Sequence, residues 1–372
     1  MSDNPKILIV GGFPNIRKSP IYGGQVTACR SLLSSSLIHD YNIITFDTTQ
    51  ISNPPPPLLL RFFLSLVRLF TFTIILVLRR PRAVILFFGS GASAVEKSVL
   101  SSLSQFLGAK SIVFPRAGEL VNFFNQHKLL SRFFKSTLGT SDYALVQGSH
   151  MKRFFLEELN YDAQNLFIVP NWTASENHIH IGRQRDYSSL DTLPRLLFLG
   201  WLEPFKGVYE LLESVKTLAN EGLQFHVTFA GNGSSMSHSL QFVRDYSLSS
   251  KVTFAGWSNV EVKNQLLHDS NIFVLPSWNE GLPNSMIEAM CSGLACVLSD
   301  VGAISDHIDP FETGLLTKPR DATSLCSALR LLIQSPSLRN RLGHSASLYA
   351  KHAFSLEKGT KLISEVISKS LS

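Results

Sequence analysis

Twelve short apolar runs, in two sets of six, constrain the fold of this chain more than any other feature. The first set is Ile7–Val10, Asn42–Phe46, Val84–Phe88, Ser111–Phe114, Tyr143–Val146 and Phe167–Val169. The second is Leu196–Leu199, Val227–Phe229, Val252–Phe254, Ile272–Leu275, Cys296–Leu298 and Leu315–Leu316. The runs are rich in Val, Ile and Phe, and helical stretches separate them, which is the pattern of parallel sheets with crossover helices. Between the sets, residues 174–194 are polar, lack apolar periodicity and reach Pro194 just before the next run, so they read as a linker. At 372 residues the chain is too long for one typical core. The expectation is an α/β protein of two doubly wound, Rossmann-like domains facing a central cleft. Its parts are a first domain over 1–171, a linker over 172–194, a second domain over 195–352 and a terminal segment over 353–372.

The most informative local stretch runs from Pro276 to Met290. It follows the apolar run ending at Leu275, crosses a Gly/Pro turn and leads into a helix. Ligands of parallel α/β domains bind where a strand's carboxyl end meets a helix start, and the N–H groups of that start favour phosphate. Glu280 falls in the loop and Glu288 in the first turns of the helix, with seven residues between them. One loop thus offers two acceptors for sugar hydroxyls with N–H donors between. Acidic residues are also common in loops and first helical turns, so spacing alone leaves a purely structural reading open.

The segment resembles the glutamate-x7-glutamate signature of the family-4 retaining glycosyltransferases, which have the GT-B fold and use nucleotide-sugar donors. Phe198-Leu199-Gly200-Trp201-Leu202-Glu203-Pro204-Phe205-Lys206-Gly207 looks like that family's glycine/lysine donor loop. Phe229-Ala230-Gly231-Asn232-Gly233 and Phe254-Ala255-Gly256-Trp257 look like its next two strand-end loops, and Val169-Pro170-Asn171-Trp172 like the strand end closing the first domain. The resemblance is dense from about Leu166 to Leu316. Before that it rests on Lys6–Gly12 and the Gly23–Gly24 pair.

The resemblance implies a retaining, metal-independent transfer of a sugar from a nucleotide diphosphate to an acceptor hydroxyl, in surface polysaccharide or glycolipid synthesis. No cofactor is implied beyond the nucleotide-sugar co-substrate, with a UDP-sugar favoured. Glu280 and Lys206 become the catalytic candidates, Glu280 at the donor sugar and Lys206 at the phosphates, where developing negative charge needs fixed cations. Glu288 is implied at the ribose. Gly281, Leu282, Pro283, Asn284, Ser285, Trp201, Gly231 and Trp257 line the donor, while Gly23, Gly24 and Arg116 form an acceptor or phosphate loop. Trp201 stands where the family has an arginine, so another cation is wanted; Arg116, Arg17 and Lys18 are candidates. The family's first-domain histidine is missing from Phe114-Pro115-Arg116-Ala117-Gly118. No Asp-x-Asp follows a strand, and His178 and His180 lack a third ligand nearby, so no metal site is expected. The resemblance also implies that the terminal helix returns to the first domain, where Leu362, Ile363, Val366 and Ile367 would find a partner surface.

A net charge of +6 suits an acidic partner: nucleotide phosphates, an anionic membrane or nucleic acid. Neither zinc-finger spacing nor RNP-like aromatics are present, which leaves nucleic acid out. Cys29, Cys291, Cys296 and Cys326 form no C-x-x-C pair, and no secretory signal precedes the first run. A reduced, cytoplasmic protein is expected. Leu58–Leu78 is almost continuously apolar and long enough to span a bilayer, but Arg61 and Arg68 make a span expensive. It reads as a helix packed on the first sheet, with one face available to an anionic membrane and a lipid-linked acceptor. The four tryptophans each follow a strand-like run and are expected near the ligand side. Three other readings stay open. A dehydrogenase-like enzyme is suggested by Gly11-Gly12 and Asp47, although Pro14 spoils the dinucleotide fingerprint. A non-catalytic GT-B subunit of a glycan-assembly complex fits the missing arginine and histidine, and a nucleotide-sugar epimerase on the same fold is the third.

Overall fold

The structure is a computed structural model, and it describes residues 4–13, 24–50, 56–188 and 193–372. The chain forms two compact units, one of Met1–Trp172 with Leu356–Ser372 and one of Thr173–Ser355.

The first unit carries a parallel sheet of β1 (Lys6–Gly11), β2 (Asn42–Asp47), β3 (Ala83–Phe88), β4 (Lys110–Pro115), β5 (Tyr143–Val146) and β6 (Leu166–Ile168), in the order β2-β1-β3-β4-β5-β6. Every residue of β3 is buried, as expected of a strand covered by helices on both faces. Alternation along the strands splits the core in two. Val84, Leu86 and Phe88 pack toward the Leu58–Arg79 and Ala92–Phe106 helices. Ala83, Ile85 and Phe87 pack toward the Gly24–Leu32 and Leu356–Leu371 helices. In the terminal helix Ile363, Val366 and Ile367 are buried in that second layer, and Tyr41 Oη bonds Ser368 Oγ at 2.9 Å.

The second unit repeats the plan with β7 (Arg195–Leu199), β8 (His226–Ala230), β9 (Val252–Gly256), β10 (Ile272–Leu275), β11 (Ala295–Ser299) and β12 (Leu315–Thr317). Its order is β12-β11-β10-β7-β8-β9, again all parallel. From β7 the chain steps outward through β8 to β9, then returns to the other side of β7 and steps outward again through β11 to β12. The order therefore reverses between β7 and β10. At such a point the connections leave the two strands in opposite directions and open a crevice at their carboxyl ends.

One expectation is corrected. The supposed linker holds a helix, Glu176–Gln184, capped by Ser175 Oγ accepting from the His178 N–H at 3.3 Å. Its apolar pair Ile179/Ile181 is not at helical spacing. Both are nevertheless buried in the core, and the helix also seats by close approach, because a Cβ on Gly182 would lie 2.3 Å from the Cys291 carbonyl oxygen. The Leu58–Arg79 helix packs with one side only: Phe72 and Leu76 are buried, while Phe62, Phe63 and Phe70 are 65, 61 and 69% exposed.

Phe72 anchors that helix, its ring 5.7 Å from Phe46. Phe72→Ala should destabilise the first unit by about 3–5 kcal/mol, the range for deleting a buried ring. Urea unfolding followed by a probe in the first unit measures it. A loss under about 1 kcal/mol would mean the helix is not seated by this side.

Candidate active site

The two loops at the β7/β10 reversal are built on each other. After β7 the chain passes Gly200–Glu203 and a 3-10 turn, Pro204–Lys206, into the Val208–Asn220 helix. Gly207, at φ 75°, makes the corner; a Cβ there would fall 2.0 Å from the Pro276 carbonyl oxygen, so only glycine lets the β10 loop come this close. The Trp278 N–H then donates to the Phe205 carbonyl at 2.8 Å. The β10 loop ends at Pro283, which opens the Asn284–Cys291 helix without a side-chain cap for its first-turn N–H groups.

This geometry brings Lys206 and Glu280 together. Lys206 Nζ lies 2.6 Å from Glu280 Oε1, with both side chains mostly buried at 18 and 10% exposure. Ser277 Oγ donates to the same oxygen at 2.7 Å. Glu280 Oε2 takes no bond among the described residues, and the ammonium has N–H donors to spare. Eight residues on, Glu288 Oε1 meets Lys263 Nζ of the Val260–Asp269 helix at 2.6 Å. His178 sits behind this pair. Burial holds its pKa below the usual range, partly opposed by Glu288, and Ser175 Oγ lies 2.9 Å from its Nδ1. The site thus has two carboxylates, each held by one lysine through one oxygen, beside an uncapped helix start. It can bind hydroxyls and phosphates together.

Gly281 and Leu282 form the floor of the loop: the Gly281 carbonyl accepts from the Ala303 N–H at 2.8 Å, and Leu282 is buried in the core. Asn284 and Ser285 start the helix, and Asn284 Oδ1 accepts from Thr173 Oγ1 at 3.3 Å. Gly231, after β8, donates its N–H to the Gly256 carbonyl at 2.8 Å, and Gly200 donates to Ala230 at 3.0 Å, so the three strand-end loops of β7, β8 and β9 are stitched side by side. Across them Trp201 and Trp257 meet with ring centroids 4.9 Å apart and exposures of 39 and 51%.

Of the other two tryptophans, Trp172 departs from expectation. Trp172 is core, its Nε1 donating to Ser31 Oγ at 2.8 Å. Trp278 is pinned by Nε1 to Glu210 Oε1 at 2.8 Å, with the Arg320 guanidinium 4.4 Å over its ring. Arg116 belongs to the first unit, at the end of β4. Its guanidinium lies over Phe114 and Trp172, each at 4.8 Å, and Nη2 bonds Asn171. Nη1 is out of solvent with no partner among the described residues, and burial lowers the pKa to about 10, so the group stays cationic at neutral pH. Gly24 opens the Gly24–Leu32 helix; Gly23, Arg17 and Lys18 lie outside the described residues. Lys263, Glu210 and Arg320 had no sequence signal, because their partners come from distant elements, whereas Ser277 meets Glu280 within one loop. Among the described residues no group of three or more His, Cys, Asp or Glu is placed to hold a metal.

Residues 183–348 match the family model "Glycosyl transferases group 1". The chain is 31% identical over 159 residues to the Campylobacter jejuni N,N'-diacetylbacillosaminyl-diphospho-undecaprenol alpha-1,3-N-acetylgalactosaminyltransferase, covering 43% of this chain and 40% of that one. The chain spans about half the length of the curated relatives it matches. Among solved structures, sucrose-phosphate synthase from Thermosynechococcus elongatus superposes with a TM-score of 0.78 at 17% identity, covering 98% of this chain and 99% of that one. The Anabaena HepE protein in complex with UDP gives a TM-score of 0.69 at 12% identity, covering 98 and 100%. The fold is GT-B, and the chain carries a glycosyl transferases group 1 domain.

Gly302 holds the Glu280 segment from behind at φ 62°, where a Cβ would lie 2.1 Å from the Glu280 carbonyl oxygen. Gly222 has a similar φ of 79° and open space around it. Gly302→Ala should therefore cost clearly more stability than Gly222→Ala, whose strain alone is about 1 kcal/mol. Thermal unfolding of the two variants compares them, and equal losses would show that the contact with Glu280 carries no weight.

Proposed function

We propose that the protein is a retaining glycosyltransferase that moves a sugar from a nucleotide-diphosphate donor to an acceptor hydroxyl in surface polysaccharide or glycolipid synthesis. The observation that carries this reading is the Lys206–Glu280 pair at the β7/β10 reversal, beside an uncapped helix start and inside the group 1 domain. A leaving nucleotide diphosphate gains negative charge as the C1–O bond breaks. Lys206 and the N–H groups opening the Asn284–Cys291 helix stabilise that charge. Glu280, steadied through Oε1 by Lys206 and Ser277, offers Oε2 to a hydroxyl of the donor sugar. Glu288, oriented by Lys263, takes the ribose hydroxyls. Gly231 keeps the β8 loop low beneath the Trp201–Trp257 pair, whose exposed faces stack on the nucleobase.

The electron pair of the breaking bond stays on the phosphate oxygen. The acceptor oxygen forms its bond to C1 on the same face, and its proton passes to that phosphate oxygen. No protein base is needed, which fits the missing first-domain histidine. With Trp201 in the family's arginine position, the phosphate load falls on Lys206. UDP in the HepE complex and the diphospho-undecaprenol acceptor in the name of the Campylobacter relative favour a UDP-sugar and a lipid-linked acceptor. The reading places the protein in the cytoplasm, with the first unit in peripheral contact with an anionic membrane. The alternative of a non-catalytic subunit is favoured by Trp201 alone.

Glu280→Gln and Lys206→Ala should each lower kcat at least ~10-fold, the scale for one positioned charged contact. Glu288→Ala and Trp257→Ala should chiefly raise the donor KM. Steady-state kinetics against UDP-, GDP- and ADP-sugars reads both effects; wild-type kinetics in all four variants would unseat the site. Donor turnover absent from the wild type with every nucleotide would favour the non-catalytic reading.

Stereochemistry and metal dependence give a separate check. The product should keep the donor's anomeric configuration by NMR, and turnover should persist in excess EDTA. An inverted product, or loss on chelation restored by Mg²⁺, contradicts the mechanism.

A further inference from the structure

We propose that the outer face of the Leu58–Arg79 helix is a docking surface for an anionic lipid bilayer, on which the helix lies in the plane of the headgroups. This deepens the localisation given above, but it stands on the first unit's surface and not on the transfer chemistry.

The helix is long and apolar enough to cross a membrane by length and composition. Its packing argues against crossing. Glu96 of the Ala92–Phe106 helix gathers the polar groups on the inner side: Arg68 Nε lies 2.8 Å from Glu96 Oε1, Lys97 Nζ 2.7 Å from Oε2, and Ser65 Oγ 3.5 Å from Oε1. Lys97 is only 2% exposed, so this is an interior network. Phe72 and Leu76, four and eight residues after Arg68, are buried on the same side. Spanning would strip Glu96 of Arg68 and pull both apolar anchors from the core, leaving a buried carboxylate and lysine one cation short.

Because Arg68 turns inward, the opposite side carries no charge. Phe62, Phe63, Leu66, Phe70, Ile74 and Val77 recur at helical spacing and are each 40–69% exposed. A continuous apolar face of this length on a folded unit marks an interaction site. The surrounding charge names the occupant. No acidic residue occurs between Asp47 and Glu96, while Arg79, Arg80 and Arg82 are exposed where the helix ends. At Arg80 the helix ends in a left-handed cap, φ 49°, so the cluster directly follows the apolar stretch along the chain. A second copy of the chain would bring the same arginines without any acid to meet them. An anionic leaflet meets both features: acyl chains take the ring face, and phosphates take the arginines.

The test is flotation of the full chain with phosphatidylglycerol-containing and with pure phosphatidylcholine vesicles. The wild type should float with the anionic vesicles and be weakened by high salt. Each arginine near the surface strengthens binding about fivefold, so Arg79→Glu/Arg80→Glu should cost at least ~10-fold. Phe62→Ser/Phe63→Ser/Phe70→Ser should remove the salt-resistant remainder, with circular dichroism checking that these exposed changes leave the fold intact. Bound wild type should be released by alkaline carbonate. Failure to float with either vesicle overturns the proposal, as does resistance to carbonate, which means a span. A dimer in light scattering that the serine variant dissociates, without vesicle binding, overturns it in favour of a second copy. Donor turnover in the arginine variant stays at the wild-type level in every supporting case. Its absence from the wild type would count against the transferase reading alone.

Discussion

The reversal of strand order between β7 and β10 is the constraint on which the rest of the second unit depends. Both strands are buried on both faces, so their polar chemistry can appear only where the backbone leaves the sheet. Their connections run to opposite sides, and the two loops must share the space above the strand ends. Glycine at 207 and 302 removes the side chains that would keep the backbones apart. Lys206 and Glu280 are then neighbours because their strands are, though 74 residues separate them in the chain.

That origin explains how much was legible beforehand. Buried parallel strands such as β3, β10 and β11 must read as apolar runs, and even the less buried β2 and β9 keep Ile, Val and Phe in the sheet, so the strands were visible, and two acidic residues at a strand-to-helix turn stood out. What could not be read was which side chain answers each charge. Lys263 comes to Glu288 from the helix after β9, and Arg320 covers Trp278 from beyond β12; both pairings follow from sheet order and helix packing, which local pattern does not encode. The Glu176–Gln184 helix was missed for a related reason: it meets the core through Ile179, Ile181 and the bare backbone of Gly182, a short set without a repeating apolar stripe. The Leu58–Arg79 helix was legible as one packed on the sheet with a face left over; which side is seated, the one bearing Phe72 and Leu76, was not.

The two lysine–glutamate pairs also bear on function. Each is mostly buried, so the partners have given up much of their water and hold one another in place. Removing one partner leaves the other charged and poorly solvated. The site is therefore preorganised at the cost of tolerance, and a ligand has only to add its oxygens to the valences left over. Trp201 sharpens this economy. With a ring at 201 packed beside Trp257, the cationic charge of the β7 loop lies in Lys206 alone.

The first unit applies the same electrostatics to its own surface. Around Glu96 two cations and one anion are drawn inside, where burial holds the Lys97 pKa below its usual range and Glu96 opposes that fall. A charge drawn inward is a charge removed from the outer surface. Had Arg68 pointed out, the helix would have interrupted its apolar face with a guanidinium and read as an ordinary amphipathic surface helix. Because Glu96 holds Arg68 on the inner side, the polar groups needed for packing and the apolar groups left for a partner separate cleanly onto two sides. An ion network inside the unit thus determines what its exterior can bind.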